Sequence, residues 1–425
     1  MTRLVGSLKS DGDPMTTRRH ERSTALFERA EAVIPGGIYG HQSPRLLTRG
    51  AFPSFLADAS GARVRDVDGN GYIDFLCAYG PIVLGYNHDV VEKAAARQRA
   101  LGDTMTLPAE VTVELAERLV EITPGAEWCV FAKNGSDVCT WSLAVARAAT
   151  GREVVAMVDH AYHGVHGWCN HIKTGFLENE RAAVRSFEWN DLASLERIFA
   201  EETDDVAAVI LTPFRHEILE DSVLPATGFL ESVRQLCARF GAFLIVDDVR
   251  AGFRLNIGGS TQRWGVTPDL LLYSKAVANG YPLSVMLGGG SLRAAAESVF
   301  MTGTFYLQAV PLAAALATVN ELVASDGIAR MERTGSRLSD GLRERATAAG
   351  FDVVISGPPA IPFMTFRADE GSFKRSYAFA GACARRGVLL HPLHNWFLSV
   401  AHTDQDIDLT LDAVEQSFHE LRSQF

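Results

Sequence analysis

The chain has 425 residues, 47% of them hydrophobic and 21% charged, a balance typical of a globular protein that is too long for one core. Forty basic and 51 acidic residues give a net charge of −11, which argues against a nucleic-acid partner or binding to an anionic membrane. No apolar run approaches the ~20 residues of a membrane span. The six cysteines form no CxxC pair and no secretory signal is evident, so we expect a cytoplasmic protein with reduced thiols.

The first 80 residues predict a tail, one helix and a small antiparallel hairpin. Residues 1–22 are polar and of mixed charge, and we expect them to be a disordered tail. The spacing predicts a helix over 23–34, capped by Ser23 or Thr24 and ended by Pro-Gly-Gly. The turn of the hairpin, at 66–71, begins like a calcium-binding EF-hand loop, but the twelfth position of such a loop would be Cys77 instead of Glu. The strand-like runs of the hairpin are 55–56, 63–65 and 72–75.

From about residue 105 onward, apolar strand-length runs alternate with helix-length amphipathic runs. This alternation predicts an α/β fold with a mostly parallel central sheet that helices cover on both faces. Helices are expected over 136–149 and 228–239, and a long helix from Pro311 to about Ser325. The predicted strands are Trp128–Ala132, Val154–Val158, Ala207–Leu211, Phe243–Val246, Leu270–Tyr273 and Leu283–Leu287.

The predicted elements divide into one large and one small domain. Residues 81–324 would form the large domain around the central sheet. The N-terminal segment 23–80 and the C-terminal region 325–425, which mixes helix and strand, would build the smaller α+β domain from both ends of the chain.

Candidate chemical groups follow the predicted strands, where ligands bind in open parallel sheets. Gly135 and Ser136 follow the first strand and begin a helix, an arrangement that favours a phosphate but equally fits an ordinary N-cap turn. Asp247 follows a buried strand, where its carboxylate would hold the pyridinium proton of pyridoxal phosphate (PLP), bind a metal or form a structural ion pair. Lys275 follows the next strand and would be an imine-forming amine if its pKa is depressed, although most lysines are surface residues.

Another strand is followed by Tyr162, a side chain suited to stacking on a flat cofactor ring. Three histidines with a spacing of three residues surround it: His160, His163 and His166. A metal site there would need a fourth ligand or a carboxylate partner, and none lies nearby in the sequence. We therefore expect no metal.

Taken in order, these motifs resemble the class III aminotransferases of the fold type I PLP enzymes, in the branch of glutamate-1-semialdehyde aminomutase. The similarity extends from about residue 22 to residue 420. Each segment is weakly specific alone, whereas the ordered set is highly specific. The matching segments are 66–74, 79–81, 84–88, 134–137, 162–164, 247–249, 252–254, 274–275, 303–304 and 399–402.

The resemblance implies a role for each cofactor residue. Lys275 would hold PLP as a Schiff base and shuttle the substrate's Cα proton, and Asp247 would pair with the pyridinium nitrogen. Tyr162 and Val249 would pack on the two faces of the ring. The phosphate would be held by Gly135, Ser136 and, from the neighbouring subunit, Thr304, which implies a homodimer with shared active sites.

The sequence departs from the family pattern on the substrate side. A Thr-Pro replaces the common Glu-Pro before Arg215, so the glutamate that often gates an arginine switch is absent. Arg250 follows Val249, and 391–396 replaces a segment with an acidic substrate residue. We therefore expect a polar substrate other than glutamate-1-semialdehyde. The candidate substrate residues are Tyr79, Arg215, His216, Arg250, His394, Asn395 and, as an approximate match to the family's carboxylate-binding arginine, Arg45.

The function expected from the sequence is a PLP-dependent aminotransferase. It would move an amino group from an amino donor to a polar keto or aldehyde acceptor, in a specialised biosynthetic pathway. The alternatives are an intramolecular aminomutase, another PLP reaction such as racemisation or decarboxylation, and a PLP-fold protein that has lost its chemistry and only binds. The intact Lys275 and Asp247 argue against the last.

Overall fold

The computed structural model describes residues 20–48, 50–172 and 174–425, so most of the predicted tail lies outside the described residues. The helices are α1 (Glu21–Val33), α2 (Asp89–Leu101), α3 (Val111–Ile122), α4 (Gly135–Thr150), α5 (Leu192–Glu201), α6 (Phe229–Phe240), α7 (Arg293–Ser298), α8 (Ala309–Ala324), α9 (Gly327–Ala348), α10 (Lys374–Arg385) and α11 (Asp404–Leu421). The strands are β1 (Leu56–Ser60), β2 (Arg63–Asp66), β3 (Gly71–Asp74), β4 (Trp128–Ala132), β5 (Val154–Val158), β6 (Val184–Phe187), β7 (Val206–Leu211), β8 (Phe243–Asp247), β9 (Leu270–Tyr273), β10 (Ser284–Gly288), β11 (Val353–Ser356), β12 (Phe363–Phe366) and β13 (Val388–Leu389).

Helix α1 begins before the predicted position, and its cap comes from elsewhere in the chain. It starts at Glu21, so the predicted cap at Ser23 or Thr24 is wrong, and the last two residues of the predicted tail are helical. The Asp68 carboxylate instead accepts hydrogen bonds from the backbone N–H of Arg22 at 2.7 Å and of Ser23 at 2.9 Å. A carboxylate suits this place because the first N–H groups of a helix have no partner within the helix. The turn that opens like a calcium loop therefore caps a helix.

The central sheet has seven strands in the order β4-β10-β9-β8-β7-β5-β6. Strand β10 runs antiparallel to both of its neighbours, and the other pairs are parallel. The predicted mostly parallel sheet is confirmed, and its six predicted strands lie within one residue of the observed bounds. Strand β6 was not predicted, because Val184–Phe187 is a short, half-polar edge strand with a weak hydrophobic signal.

A second sheet joins the two ends of the chain. The predicted hairpin is present as β1, β2 and β3, and β13 adds parallel to β3 with Val388 opposite Ile73. Strands β11 and β12 form a separate antiparallel pair. The pairing of β13 with β3 supports a small domain built from both chain ends, which remains a prediction, as do the domain boundaries.

The direction of the strands determines where the candidate residues meet. Strands β4, β5, β8 and β9 point the same way, so the residues that follow them share one edge of the sheet. Helix α4 starts at that edge, and α8 packs against α2 and α3. Within the described residues no single helix is long and apolar enough to cross a membrane, although α8 and α9 meet that test together as a pair bent by 69°.

Candidate active site

The Asp247 carboxylate lies at the end of β8 and is only 5% exposed. Its Oδ2 accepts hydrogen bonds from His163 Nδ1 at 2.8 Å and from the Cys139 thiol at 3.4 Å. Its Oδ1 accepts the backbone N–H of Val249 at 3.1 Å. Because a buried carboxylate is costly without partners, these three donors both orient the group and satisfy its oxygens.

The same contacts bear on the possibility of a metal. Ligand atoms of Cys139, His163 and Asp247 lie within 4.8 Å of one another. They are hydrogen-bonded to each other, and burial raises the pKa of the Cys139 thiol well above its usual value, which disfavours the thiolate that a metal requires. The predicted histidine triplet does not converge, since His166 contacts Thr140 and His160 contacts Asp159.

Lys275 lies two residues beyond the end of β9. Strand β9 is the neighbour of β8, which ends at Asp247. Its Nζ donates a hydrogen bond to the backbone oxygen of Tyr79 at 3.0 Å. Burial is the main cause that lowers the pKa of this amine to about 7, and the nearby guanidinium groups of Arg250 and Arg254 contribute to the same shift. The backbone at Lys275 is left-handed, with φ of 45°, a conformation that the surrounding structure must hold in place. The site thus contains an amine that is largely neutral above pH 7.

The start of α4 forms a cradle for an anion. The side chain of Asn134 and the carboxylate of Asp137 make the capping box, so Ser136 is not the cap. The N–H groups of Gly135 and Ser136 have no acceptor among the described residues, and the Ser136 hydroxyl accepts the N–H of Val165 at 3.2 Å. A Cβ at position 135 would lie 3.0 Å from Val249, so glycine is needed for this close approach.

Tyr162 is the side chain that the resemblance implies would stack on the cofactor ring. Tyr162 is 51% exposed, and its ring stacks on no other ring in the described part of the chain. Burial raises its pKa, as does the neighbouring Cys169, while Arg250 lowers it, which places the phenol close to that cation. One face of the Tyr162 ring is therefore free to pack on a planar ligand.

Several substrate candidates converge on Arg250. One guanidinium nitrogen of Arg250 donates to the Asn395 side-chain oxygen at 2.5 Å and to the backbone oxygen of His216 at 3.2 Å. Burial and the Arg250 charge hold the pKa of His216 well below its usual value, so this ring is neutral. The partly buried Glu217, which was not predicted, has one carboxylate oxygen without a hydrogen-bond partner, and its pKa is raised by burial.

Tyr79 is at the centre of a group of aromatic rings beside Lys275. His41 packs edge-on against it with ring centroids 4.6 Å apart, and His394 does so at 5.5 Å. His391 lies 5.9 Å from Tyr79 and 5.8 Å from His394. The predicted Tyr79 and His394 are thus brought together, while His41 and His391 join them without having been predicted.

Three predicted residues lie elsewhere in this chain. Arg45 forms an ion pair with Glu31 and lies over the Phe27 ring, so α1 engages its guanidinium. Arg215 pairs with Glu220 at 2.8 Å on a loop. Thr304 is exposed, on the segment just before α8. The role that the resemblance implies for Thr304, in the phosphate site of a neighbouring subunit, stays a prediction.

The sequence also left Arg254 without a role. This guanidinium is fully buried and donates to the backbone oxygens of Gly80 at 2.6 Å, Ile82 at 2.9 Å and Leu398 at 3.2 Å. It fixes the segment whose Tyr79 oxygen holds Lys275. The sequence did carry a signal for a buried role of Arg254, because this arginine lies in the otherwise apolar run 251–255.

Comparison with known proteins identifies the family. The family model of the class-III aminotransferases matches residues 48–402. The chain belongs to the class-III aminotransferase family. An aminopentol aminotransferase of Sphingopyxis macrogoltabida is 44% identical, with 93% of this chain and 94% of that protein covered. A glutamate-1-semialdehyde 2,1-aminomutase of Desulfatibacillum aliphaticivorans is 31% identical, with 94% and 100% covered.

A solved structure agrees with this assignment. The FumI protein of Sphingopyxis sp. MTA144, in its PLP internal aldimine form, is 43% identical and superposes with a TM-score of 0.93, covering 95% of this chain and 97% of that chain. This class-III aminotransferase is thus a PLP-dependent enzyme of fold type I that uses an amino donor and a carbonyl acceptor, and the predicted fold, cofactor and enzyme class are confirmed.

The observed residues fit the cofactor. An amine with a pKa of about 7 suits the aldehyde of PLP, and the unpartnered amides at Gly135 and Ser136 suit its phosphate. The Asp247 carboxylate suits a protonated ring nitrogen.

Proposed function

We propose that Lys275 is the amine that holds PLP and that its Nζ removes and returns the proton of the substrate carbon. PLP supplies an aldehyde that takes up the amino group and a ring that accepts the electrons of the broken C–H bond. The observation that supports this role is the pKa of Lys275, lowered to about 7, because a neutral amine can attack a carbonyl and accept a proton near neutral pH.

The remaining cofactor roles follow from the same edge of the sheet. Asp247 would pair with the ring nitrogen, held in orientation by His163 and Cys139. Gly135 and Ser136 would bind the phosphate at the start of α4. Val249 and Tyr162 would enclose the ring, with the exposed Tyr162 closing over its open face.

The reaction proposed for this site is amino transfer in two halves. A donor amine delivers its amino group to the cofactor, the resulting carbonyl compound leaves, and an acceptor carbonyl compound then takes the amino group from the same site. The relative at 44% identity is named for an amine with several hydroxyl groups, which supports a polar amine as one of the two substrates.

Arg250 would bind the charged or polar end of a substrate. Its guanidinium is next to Lys275 and is held from one side by Asn395 and the backbone of His216. A planar cation in this place is suited to a carboxylate such as that of a keto acid. The candidates around it are His216, His394, Asn395 and Tyr79. Arg250→Ala and His394→Ala should raise KM or lower kcat, and unchanged values in both would remove this assignment.

The protein is proposed to act as a homodimer, with Thr304 completing the phosphate site of the partner. The segment before α8 is tied to the end of α2, since Asp103 accepts the N–H of Val310 at 2.9 Å. The end of α2 with the residues after it, and the segment before α8, expose large apolar side chains: Leu101 at 80%, Leu107 at 76% and Phe300 at 90%. Several exposed apolar side chains on these two segments support burial by a second copy. Sedimentation of Phe300→Asp should show a shift from dimer toward monomer and a loss of PLP affinity.

The location is proposed to be the cytoplasm. All six cysteines are free, and five of them are buried. Burial raises the pKa of Cys77, Cys139, Cys169, Cys237 and the partly buried Cys129, so these thiols remain protonated. Such thiols suit a reducing compartment.

The decisive experiment is the visible absorption of the purified protein with PLP, before and after a panel of amino donors. A PLP band that bleaches with one donor and returns with one acceptor is the expected result. If no band forms, the proposed role of Lys275 is wrong. A band that no donor changes would instead favour the single-substrate aminomutase, which needs no external donor.

A further inference from the structure

Two buried histidines beside Tyr79 have protonation states that their hydrogen bonds define. His391 is 5% exposed, and its Nδ1 accepts the backbone N–H of Leu393 at 3.0 Å. A ring nitrogen that accepts a hydrogen bond carries no proton, so the proton of neutral His391 is on Nε2. Burial lowers the pKa of His391 to about 4, which keeps the ring neutral at physiological pH. His391 Nε2 is therefore a hydrogen-bond donor.

His394 has the opposite arrangement. It is 8% exposed, and its Nδ1 lies 2.7 Å from the backbone oxygen of Asn395. A carbonyl oxygen can only accept, so the proton is on Nδ1 and the other nitrogen, Nε2, is an acceptor. Burial and the charge of Arg250 hold the pKa of His394 well below its usual value, so this ring is neutral too.

In each ring, Nε2 is the nitrogen that makes no hydrogen bond within the described residues. Neither Nε2 has a hydrogen-bond partner among the described residues, and neither is among the deeply buried polar atoms that lack one, so both reach an accessible surface. The ring centroids are 5.8 Å apart, so the two rings are close enough for both of their edges to contact one small polar group.

The pair faces the reacting region. Both rings pack on Tyr79, whose backbone oxygen holds the Lys275 amine at 3.0 Å. The charge of Lys275 also contributes to the lowered pKa of His394, which places the two groups close together. A substrate whose reacting carbon is at Lys275 would therefore pass its neighbouring atoms along this pair.

We propose that His391 and His394 form a donor–acceptor pair that binds a hydroxyl group of the amine substrate, close to its reacting carbon. The inference rests on the proposed function and adds the substrate class to it: an amine with a hydroxylated chain. A hydroxyl both donates and accepts, which matches one donor nitrogen and one acceptor nitrogen. A carboxylate only accepts and an ammonium only donates, so each would leave one ring unsatisfied.

The test compares two amines that differ only in a hydroxyl on the carbon next to the amine-bearing carbon. Wild type should convert the hydroxylated amine with a kcat/KM about 10-fold higher, since each lost hydrogen bond that leaves a buried group unpaired costs about 1 kcal/mol or more. His391→Asn keeps an acceptor for the Leu393 N–H, and His394→Asn keeps a donor for the Asn395 oxygen. Each variant removes Nε2 and the ring that packs on Tyr79, but keeps the local backbone hydrogen bond.

Both variants should bring the ratio of the two kcat/KM values close to one, because the loss should fall mainly on the hydroxylated amine. His419→Asn, on the exposed face of α11, is the matched control and should keep the wild-type ratio. Equal losses on both amines would indicate a structural role and overturn the proposal, as would a wild-type enzyme with no preference.

A second readout does not depend on turnover. Nitrogen NMR of histidine-labelled protein, with resonances assigned from the two variants, should show the Nε2-protonated tautomer for His391 and the Nδ1-protonated tautomer for His394. Addition of the hydroxylated amine should shift both signals, and the deoxy amine should not. The opposite tautomers, or no selective shift, would refute the pair. Selective shifts without any amino transfer would refute the proposed function alone.

Discussion

The two halves of the site are built differently. The proposed cofactor end consists of residues at or just beyond the ends of strands of one sheet: Asp247 is the last residue of β8, Lys275 comes after β9 and Gly135 comes after β4. The proposed substrate wall combines Tyr79, Arg250 and the 391–395 segment, which come from both ends of the chain and its middle. The sheet fixes the first set through backbone hydrogen bonds, whereas loops and side-chain packing fix the second.

This difference shows how one family keeps its cofactor chemistry while changing its substrate. A residue at the end of a buried strand is positioned by the whole sheet, so its place tolerates little change. The wall is held by single contacts such as that between Arg250 and Asn395, which a few substitutions can rearrange. Two departures from the family pattern in this chain, Arg250 and the 391–396 segment, lie in or overlap the wall.

The largest expected effect tests the cofactor end alone. Lys275→Ala should lower amino transfer by about 10³-fold or more with every substrate, because both the attacking amine and the proton carrier are lost. Turnover and the protein-bound PLP absorption band measure this. Lys93→Ala, an exposed lysine of α2, is the control. Turnover of Lys275→Ala at the wild-type rate would contradict the mechanism.

The next effect separates two adjacent carboxyl groups. Asp247→Asn should lower kcat by about 10²-fold for all substrates alike, because an amide cannot hold a positive charge on the ring nitrogen. Asp248→Asn should stay close to wild type. Asp248 accepts the N–H of Ser260 at 2.7 Å, and burial raises its pKa to about 7. Its carboxyl group is therefore already partly protonated near neutral pH, so an uncharged amide changes little. Equal losses in the two variants would argue against a specific role for Asp247.

A smaller effect is expected at the phosphate cradle. Ser136→Ala should weaken PLP binding by about 10-fold, the loss of one hydrogen bond to a charged group, and leave substrate KM unchanged once the enzyme is saturated. Equilibrium titration with PLP measures the first and steady-state kinetics the second. Thr150→Ala, at the other end of α4, should change neither. A changed substrate KM would show that the two halves of the site are coupled through the cofactor.

The smallest effect concerns Arg250, whose charge acts on Lys275 and whose guanidinium contacts Asn395. The pKa of Lys275 is lowered from its usual value to about 7, so the neutral amine predominates above pH 7 and the rate of PLP capture should rise through that pH. Removing the Arg250 charge in Arg250→Leu should raise the pKa and move the midpoint up by about one pH unit. The same variant should lose keto-acid acceptors selectively. An unchanged midpoint would restrict Arg250 to substrate binding.

Prediction from the sequence succeeded for the buried strands of the central sheet. The bounds of β4, β5 and β9 match the predicted ranges, because buried strands are short apolar runs with clear ends. It failed for the start of α1, because the capping carboxylate of Asp68 is more than 40 residues away. It also missed His41, His391 and Arg254, since each has meaning only through Tyr79 or the backbone it holds.

The sequence by itself determined the class of fold and the cofactor, and it predicted a role for each candidate cofactor residue, because these depend on ordered motifs after strands of one sheet. Only the tertiary structure decided the environment of those groups. The pKa of Lys275 depends on the burial and cations around it, and the free nitrogens of His391 and His394 depend on which backbone groups their other nitrogens contact. Such properties arise from distances between residues that are far apart in the chain, and no local pattern records them.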